Sequence, residues 1–484
     1  MIAIQFQKRD FEYDVYNLVK SFYPEEEVAM FDEDQPVGEY GERISLFYGK
    51  NKITVRMEKW GRDRQCFERG VWVCFDSDRR ETKNKLKILL YDMLKERTGQ
   101  ELPWGTLTGV RPTKIPMALL EEGYSNVEIA RIMREEYLVS KEKTALSITI
   151  ANRERHILQK IDYSNGYSLY IGIPFCPTIC SYCSFSSSPL KAWKEKVDDY
   201  LDALCREIKE TATLCAGRTP DTVYIGGGTP TTLEPRQMER LLSEVERYFD
   251  LSSVREYTVE AGRPDSITEE KLQVIRKHPV TRISINPQTM NQETLDIIGR
   301  KHTVEDIRQA FLLARKLGFD NINMDLIVGL PGEEREEVEN SMRQVTDLDP
   351  DSITVHSLAI KRAARLNLFK EEYQEMTFTN NQEIMAMTAS YAAGAGMAPY
   401  YLYRQKNMKG NFENVGYAKP GKEGIYNILI MEEKQSILAL GAGASTKYVT
   451  GDRIERAENV KDIKNYISRI DEMIERKKLL FAQQ

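Results

Sequence analysis

The chain has 484 residues, of which 41% are hydrophobic and 29% charged, and its formal net charge is -6 at pH 7. This length exceeds the size at which a single hydrophobic core stops growing, so we expect two or three domains. No run approaches the ~18 apolar residues that cross a bilayer, and the acidic balance argues against a broad polyanion-binding surface. We therefore expect a soluble protein that binds neither membranes nor nucleic acid.

The segment 1–160 is predicted to form a small α/β domain, and none of its motifs points to chemistry. Its start, MIAIQFQ, is too short for a signal peptide and predicts the first strand of a cytoplasmic protein. ERISLFYGKNKITVRMEKW alternates like a hairpin, and ETKNKLKILLYDMLKERTG has the apolar spacing and glycine stop of a helix. The stretch 103–116, which carries Arg111 and Lys114, is either a rigid connector or a substrate-contacting loop.

Between residues 161 and 370, short apolar strands alternate with amphipathic helices. Strict alternation predicts parallel strands joined by crossover helices, in either a doubly wound sheet or a barrel. In both architectures the chemistry lies at the carboxyl ends of the strands. The six predicted strands are SLYIGIPF, TVYIGGG, EYTVEAG, RISINPQ, NINMDLIVGL and SITVHSLA.

The alternation stops beyond residue 370, and the segment 371–484 is predicted to form an α+β cap. It contains a predicted strand pair, IYNILI and SILALGAG, and a charged terminal helix, NVKDIKNYISRIDEMIERKK. The sequence therefore predicts three parts, with bounds 1–160, 161–370 and 371–484.

Three of the seven cysteines, Cys176, Cys180 and Cys183, follow the first of the six strands directly. A chain of this length with an odd number of cysteines is expected in the reducing cytosol. There, closely spaced cysteines favour metal binding over a disulfide. Three thiolates cannot close a tetrahedral zinc site, but on one loop they can hold three irons of a cubane cluster and leave the fourth iron open. The alternatives are a zinc site completed by a remote residue and buried thiols without metal.

Other strand ends carry candidate binding residues. In YIGGGTPT, successive glycines let a ligand approach the backbone, and their freed amides can bind a carboxylate. The sequence lacks GxxxxGK[ST] there, which disfavours a nucleotide P-loop. Glu260, Gln288 and Asp325 close later strands and Arg300 follows, so their convergence on one edge favours a binding site over isolated helix caps.

These motifs together resemble a radical S-adenosylmethionine (SAM) enzyme. The CxxxCxxC loop, GGGTPT, RISINPQTMN, GRKHT and NINMDLIVGLPGE are similar to oxygen-independent coproporphyrinogen III oxidases and their relatives, as are GYAKPG, GAGAST and RAENVKDIKNY near the C-terminus. The N-terminal extension and PWGTLTGVRPTK most resemble the coproporphyrinogen dehydrogenase branch of anaerobic and spore-forming bacteria. The resemblance implies an α/β protein whose partial six-stranded β/α barrel lies between a small α/β domain and an α+β cap.

The resemblance also implies a role for each matching residue. Cys176, Cys180 and Cys183 would bind a 4Fe-4S cluster whose fourth iron is chelated by SAM. The positions that match further SAM contacts of the family are Tyr170, Tyr182, Gly227, Gly228, Thr229, Glu260, Gln288, Arg300, Asp325 and Ala359.

Two positions depart from the well-studied oxidases. Gly172 stands where those enzymes have histidine, and Phe185 stands where they have a further cysteine. Both differences touch the area in which those enzymes bind a second SAM molecule, so a second SAM is left open here. A related group that carries haem also has phenylalanine at the position of Phe185.

The implied activity is oxidative decarboxylation of two propionates of coproporphyrinogen III to vinyls, giving protoporphyrinogen IX. A flavodoxin- or ferredoxin-like donor would supply the electron to a monomeric enzyme. The competing interpretation is a haem-binding chaperone without oxidase activity, while radical modification of RNA or protein is disfavoured by the acidic balance. Candidate partners of the substrate carboxylates, which could equally form a solvated basic face, are Lys361, Arg362, Arg365, Arg404 and Lys406.

Overall fold

The computed structural model divides the chain into two units, Met1–Asn152 and Arg153–Gln484. The predicted barrel and the predicted cap both lie within the second unit, and the three-part division stays a prediction. No helix in the described part of the chain is both long enough and apolar enough to cross a bilayer. The structure describes residues 1–35, 38–59, 66–75, 78–162, 165–185, 187–361, 364–373, 376–405, 412–451 and 453–482.

The first unit combines one five-stranded sheet with α-helices. Its strands are β1 (Ile2–Phe6), β2 (Val28–Asp32), β3 (Glu42–Tyr48), β4 (Lys52–Lys59) and β5 (Cys66–Trp72). Its helices are α1 (Glu12–Phe22), α2 (Arg79–Thr98), α3 (Lys114–Glu121), α4 (Asn126–Glu135) and α5 (Lys141–Leu158), the last of which continues past Asn152. The strand order is β2-β1-β3-β4-β5, with β1 parallel to both of its neighbours and the later pairs antiparallel.

Local predictions for the first unit are confirmed. The predicted hairpin is formed by β3 and β4, and the Gly49 amide donates to the Lys52 carbonyl at 2.9 Å. The predicted helix is α2, which ends at Gly99 with φ 67°, a left-handed conformation that glycine adopts without strain. Leu18 of α1 and Leu90 of α2 share one buried core with Ile44 of the sheet.

The second unit is built on an eleven-stranded sheet and a separate two-stranded sheet. The strands are β6 (Gly166–Ile173), β7 (Phe175–Cys176), β8 (Ser188–Pro189), β9 (Thr219–Gly227), β10 (Glu256–Glu260), β11 (Arg282–Ser284), β12 (Ile322–Val328), β13 (Ser352–Ser357), β14 (Ala398–Tyr403), β15 (Asn414–Ala418), β16 (Ile437–Leu440), β17 (Ser445–Thr450) and β18 (Arg453–Glu458). The α-helices are α6 (Leu190–Trp193), α7 (Val197–Ala212), α8 (Pro235–Tyr248), α9 (Glu269–Lys277), α10 (Gln292–Ile297), α11 (Val304–Lys316), α12 (Arg335–Asp347), α13 (Arg365–Leu368), α14 (Gln382–Gly394), α15 (Ile425–Glu432), α16 (Ile463–Ser468) and α17 (Ile470–Ala482). Short 3₁₀ helices lie at Lys194–Lys196, Thr213–Cys215, Pro230–Thr232, Pro264–Ser266 and Lys370–Tyr373.

The six predicted barrel strands are confirmed as β6, β9, β10, β11, β12 and β13, which are parallel neighbours in chain order. Outside them, β15 pairs with β13 in the antiparallel sense, and β16 pairs with β6 in the parallel sense. The full order is β14-β15-β13-β12-β11-β10-β9-β6-β16-β17-β18. The core is therefore a partial β/α barrel whose two edges are continued by strands from the C-terminal segment.

One predicted strand is wrong, because IYNILI forms the helix α15. The Ile425 amide donates to Glu256 at the start of β10, so the barrel itself caps the first turn of α15. The Tyr426 ring stacks on Tyr224 with centroids 4.5 Å apart and on Tyr170 at 6.3 Å. Periodicity cannot distinguish a short apolar helix from a strand, and contacts with the barrel interior decide for the helix.

The predicted terminal helix is interrupted. Asp462 caps α16 by accepting a hydrogen bond from the Asn465 amide at 2.8 Å. Arg469, at φ -117° and ψ 27°, then breaks the helical path before α17 begins. The segment predicted to be one helix therefore forms two helices, α16 and α17. Its composition favours helix throughout, but the cap at Asp462 and the non-helical backbone at Arg469 divide it.

Candidate functional site

The three predicted cluster cysteines lie on one loop at the carboxyl edge of the barrel strands. Cys180 is buried, and Cys176 and Cys183 are half-buried. β7 and β8 hold the loop at its start, since Cys176 is in register with Pro189. The Cys183 amide donates to the Cys180 carbonyl at 3.1 Å, which turns the chain between the last two thiols.

Neighbouring segments fix this loop through its backbone. The Ser181 amide donates to the Ile298 carbonyl at 3.0 Å, and its own carbonyl accepts from the Leu366 amide at 2.9 Å. The Thr178 hydroxyl donates to the Gly299 carbonyl at 3.1 Å. The loop conformation is therefore set by contacts with segments that follow β11 and β13, far along the chain.

The cysteine sulfurs have polar neighbours that can donate hydrogen bonds. The Thr229 hydroxyl lies 3.4 Å from Cys176 Sγ, and Arg263 Nη1 lies 3.4 Å from Cys180 Sγ. Burial raises the pKa of the Cys176 and Cys183 thiols, although the hydrogen bond from Thr229 opposes this at Cys176. Because a thiol binds iron only as a thiolate, these donors favour the ligand form.

Among the described residues, no three His, Cys, Asp or Glu side chains converge as they would around one metal ion. A cubane cluster does not require such convergence, because each cysteine binds a different iron.

The glycine loop after β9 packs on the end of β6 and on β7. A Cβ on Gly228 would lie 2.6 Å from the Phe175 carbonyl oxygen, so only glycine fits there. The amides of Gly228 and Thr229 donate to the carbonyls of Ile173 and Phe175, both at 2.7 Å. The expectation that these amides are free for a ligand carboxylate is therefore wrong, since the backbone of the preceding strands already uses them.

Two acidic residues are predicted to bind SAM. Glu260 is the last residue of β10, as predicted, whereas Asp325 lies in the middle of β12 and not at its end. Burial raises the pKa of Glu260 to about 7, even though the Tyr224 hydroxyl donates to this carboxylate. Burial also opposes ionisation of Asp325, but His356 and Asn323 outweigh it and lower the pKa of this carboxyl. Asn323 Nδ2 donates to Asp325 at 2.7 Å, and His356 Nε2 lies 3.6 Å from it.

Gln288 and Arg300 keep polar atoms available at this edge. Gln288 has φ 67°, an uncommon conformation that its amide and carbonyl stabilise through bonds to Asp325 and Ile327, both at 2.9 Å. Arg300 Nη2 donates to the Tyr182 hydroxyl at 3.3 Å. Within the described residues, Gln288 Oε1 and Arg300 Nε are buried without a protein hydrogen-bond partner. Such atoms in a native site commonly mark a missing ligand contact.

The predicted site residues are thus brought together in part. Tyr170 stacks against Tyr224 inside the barrel, and Ala359 follows β13 half-buried. Among the predicted carboxylate partners, Lys361 is exposed, and Arg365 lies 3.3 Å from Glu372. Arg404 is buried instead of forming part of an exposed basic face, and burial lowers its pKa to about 10. The last two candidates, Arg362 and Lys406, lie outside the described residues.

Three residues that the structure places at the site were not predicted from the sequence. Arg263 contacts the cysteine loop, His356 lies beside Asp325, and Tyr426 completes the tyrosine stack. Arg263 had a detectable signal, because it directly follows a strand end that already carried Glu260. Tyr426 had none, since its segment was predicted to be a strand.

A partial β/α barrel with a CxxxCxxC loop at the carboxyl edge of its strands defines the radical SAM class. A family model described as the Radical SAM superfamily matches residues 170–345. The chain is 41% identical over 404 residues to the oxygen-independent coproporphyrinogen-III oxidase-like protein HemZ of Bacillus subtilis, covering 82% of this chain and 81% of that protein. It is 33% identical over 315 residues to the heme chaperone HemW of the same organism, covering 63% and 76%.

Among solved structures, the chain is similar to coproporphyrinogen III oxidase (HemN) from Escherichia coli, described as a radical SAM enzyme. The TM-score is 0.54 at 26% identity, covering 66% of this chain and 73% of that one. The chain therefore belongs to the radical SAM family of oxygen-independent coproporphyrinogen III oxidases and their relatives. The cofactors of this chain are a 4Fe-4S cluster and SAM.

The residues present fit these two cofactors. Three thiols on one loop match the open-iron cluster chemistry, and Cys176 and Cys180 have a hydroxyl and a guanidinium donor, respectively. Buried atoms without partners, Gln288 Oε1 and Arg300 Nε, supply an acceptor and a donor for a polar ligand beside the loop. The carboxylates Glu260 and Asp325 complement the ammonium and sulfonium charges of SAM.

Proposed function

We propose that this protein is an oxygen-independent coproporphyrinogen III oxidase, which converts two propionates of the porphyrinogen to vinyls with release of carbon dioxide. When bound, the cluster and SAM provide the chemistry that removes a hydrogen atom from an unactivated carbon. The protein's own residues hold the cofactors, orient the substrate and exclude water. In this proposal Cys176, Cys180 and Cys183 are the cluster ligands.

Polar residues of the barrel would orient SAM beside the cluster. Ionised Glu260 and Asp325 would hold its positive groups. Gln288 Oε1 would accept a hydrogen bond from SAM, and Arg300 Nε would donate one to it. Tyr170, Tyr182, Gly227, Gly228, Thr229 and Ala359 complete the proposed contacts. A cofactor held by several groups at once reacts in one orientation, which is the main contribution of positioning to such a step.

The observation that carries the proposal is the exposure of large apolar side chains on the cysteine loop and on the segment that is hydrogen-bonded to it. We interpret Phe185, Leu368 and Phe369 as an apolar rim of the site. Phe185, on the loop itself, is 73% exposed, and Leu368 and Phe369 are exposed on the segment whose Leu366 amide bonds to the loop. Large exposed apolar side chains that cluster together mark a binding surface. A porphyrinogen has a broad apolar ring, which suits this rim.

Basic side chains on the same segments suit the carboxylates of that ring. Lys301 is exposed directly after Arg300, which contacts the loop through Tyr182. Lys361 and Arg365 are exposed on the segment that leads to Leu366. Arg matches a carboxylate with two parallel N–H donors, and Lys offers a mobile charge. We further propose a flavodoxin- or ferredoxin-like electron donor and a monomeric enzyme.

The competing function is a haem-binding chaperone. Phe185 favours it, because haem-carrying relatives have phenylalanine at this position, and the similarity to HemW points the same way. An apolar rim would accept haem as well as porphyrinogen, so the two functions differ in chemistry and not in the shape of the site.

Anaerobic turnover of coproporphyrinogen III by the cluster-loaded protein with SAM and a reductant tests the proposal. We expect vinyl products and carbon dioxide, and mass spectrometry of the porphyrin product detects the loss of two carboxyl groups.

L368D should raise the KM for the porphyrinogen with little change in cluster content, because it places a charge on the apolar rim. L312D is the matched control, since Leu312 is 52% exposed on α11. Stable haem binding without any vinyl product would refute the oxidase function and support the chaperone.

A further inference from the structure

Arg263 has a buried guanidinium, lies on the segment after β10 and contacts the cysteine loop. Only 3% of the residue is exposed. Its Nη1 lies 3.4 Å from Cys180 Sγ and 3.3 Å from the Thr178 carbonyl, and its Nη2 donates to the Thr178 hydroxyl at 3.1 Å. Arg263 thus contacts both Cys180, a predicted cluster ligand 83 positions earlier in the chain, and Thr178, which precedes Cys180 by two positions.

Asp265 holds this guanidinium in place. Its two carboxylate oxygens accept from Arg263 Nε at 2.9 Å and Nη2 at 2.7 Å, a bidentate pair that fixes the plane of the guanidinium. Behind the carboxylate, His302 Nδ1 lies 3.6 Å from Asp265 Oδ1. Burial opposes ionisation of Asp265, but His302 and Arg263 outweigh it and lower the pKa of this carboxyl. The charge next to Cys180 is therefore fixed in position and partly compensated.

The direction of Nη1 distinguishes this arrangement from a simple clamp. Bonds to Thr178 alone would hold the loop, yet Nη1 is shared between the Thr178 carbonyl and the Cys180 sulfur. Hydrogen bonds and positive charge at a ligand sulfur stabilise the more negative, reduced state of an iron–sulfur cluster. In a buried site this effect is screened less than at the surface.

The sulfur of Cys180 is set apart from the other two in this respect. A second buried guanidinium, that of Arg300, also interacts electrostatically with Cys180. It donates a hydrogen bond to the hydroxyl of the nearby Tyr182. Cys176 instead accepts from the neutral hydroxyl of Thr229. The positive charge around the loop is thus concentrated at its middle cysteine.

We propose that Arg263 is a positioning residue that sets the reduction potential of the cluster through Cys180, and that Asp265 moderates its charge. The proposal rests on the proposed role of Cys180 as a ligand and does not depend on the oxidase reaction. It assigns opposite effects to the two partners of one ion pair. Loss of the guanidinium disfavours reduction, and loss of the carboxylate charge favours it.

An anaerobic redox titration of the cluster-loaded protein, followed by the EPR signal of the reduced cluster, tests this. In R263Q we expect the equilibrium constant for reduction to fall about tenfold, which is a shift of about 59 mV to lower potential for a one-electron couple. R263K keeps the charge and should show a smaller shift. D265N should shift the potential upward. R255Q is the matched control, because Arg255 precedes the same strand and lies 3.3 Å from Asp221, at the other end of β10.

The signs of the shifts decide the outcome. A full cluster in R263Q with an unchanged or higher potential overturns the proposal, as does a fall or no change in D265N. If R263Q does not retain the cluster, the sign in D265N decides alone. Retention of full iron in C180A would instead overturn the ligand assignment, so this failure is separate from failure of the potential measurement.

Discussion

Burial raises and hydrogen bonding lowers the pKa of two half-buried carboxylates of the barrel, but the balance differs between them. Glu260 accepts from the neutral hydroxyl of Tyr224, which does not compensate its burial, and its pKa rises to about 7. Asp325 has His356 and the amide of Asn323 as partners, and its pKa falls. Asp325 is therefore charged at neutral pH, whereas Glu260 is poised to titrate there.

The affinity for SAM should depend on pH through Glu260. Because the raised pKa means that Glu260 loses its charge as the pH falls through about 7, its attraction for a cationic ligand is lost below that pH. E260Q should bind SAM more weakly than wild type at about pH 8. We expect the ratio of the two Kd values, E260Q over wild type, to shrink as the pH falls to about 6, by at most tenfold per pH unit. Anaerobic calorimetry measures both constants. D325N is the control, since Asp325 stays ionised over this range and its ratio should be flat. An E260Q ratio that is constant with pH would contradict the role of Glu260.

Replacement of one cluster ligand should remove the cluster. We expect C180A to lose most of its iron, sulfide and brown absorbance after reconstitution, because the remaining two thiols of the loop cannot hold a cubane. C205A is a matched control, as Cys205 is equally buried, at 7% exposure, but lies on α7. Iron and sulfide analysis of both variants checks this, and equal contents would refute the assignment.

Among the secondary-structure elements, the helices α7 and α17 are joined by buried polar side chains. Glu207 of α7 accepts from Lys477 of α17 at 2.7 Å and from the Asn459 amide at 2.8 Å, and also from the Gly441 amide and the Tyr466 hydroxyl. Both charges are fully buried. The network attaches the terminal helix α17 to α7, and α7 directly precedes β9 in the barrel.

Removal of the buried cation should destabilise this packing strongly. K477M leaves the Glu207 carboxylate buried without its counter-charge, and we expect a loss of about 3–5 kcal/mol in the free energy of unfolding. K478M is the control, since Lys478 is 41% exposed and its pair with Glu210 is 3.5 Å long. We expect a change of at most about 0.5 kcal/mol there. Urea denaturation of the two variants measures the difference, and equal midpoints would show that the buried pair does not stabilise the chain.

Across the second unit, strands from the C-terminal segment cover both edges of the partial barrel. Ile437–Leu440 pairs with β6 from Ser168 to Ile171, and β15 pairs with β13 from Ser352 to Val355. Without these partners, two rows of backbone N–H and C=O groups would be exposed beside buried apolar side chains. The predicted cap therefore completes the sheet in addition to any role above the site.

A chain that ends at residue 370 should not fold stably. We expect it to aggregate on expression and to bind little iron, because it lacks β14 to β18 and leaves β6 and β13 as bare edges. A chain that ends at Ala482 retains every described element and should behave as the full chain does. Size-exclusion chromatography and iron analysis compare the two. A monomeric, iron-binding chain ending at residue 370 would show that the cap is an independent domain.

Much of the fold could be predicted because its signals are local. Alternating strands and helices predicted the parallel order from β6 to β13, and a glycine stop predicted the end of α2. α15 could not be predicted, because a short apolar segment is compatible with helix and strand, and the cap from Glu256 comes from a strand 169 positions earlier. The occupied amides of Gly228 and Thr229 were likewise invisible, since their acceptors lie on other strands.

The sequence by itself determined the chemistry of the site. The spacing of Cys176, Cys180 and Cys183 predicts an iron–sulfur cluster, because ligand type and spacing are written in consecutive residues, and the resemblance of the strand-end motifs to a known family implies SAM. Only the tertiary structure decided the electrostatic surroundings of those ligands. Arg263 reaches Cys180 and His356 reaches Asp325 because the parallel sheet places residues from distant parts of the chain side by side. A linear pattern does not encode such pairings, since they depend on how strands pack and which side chains become buried together.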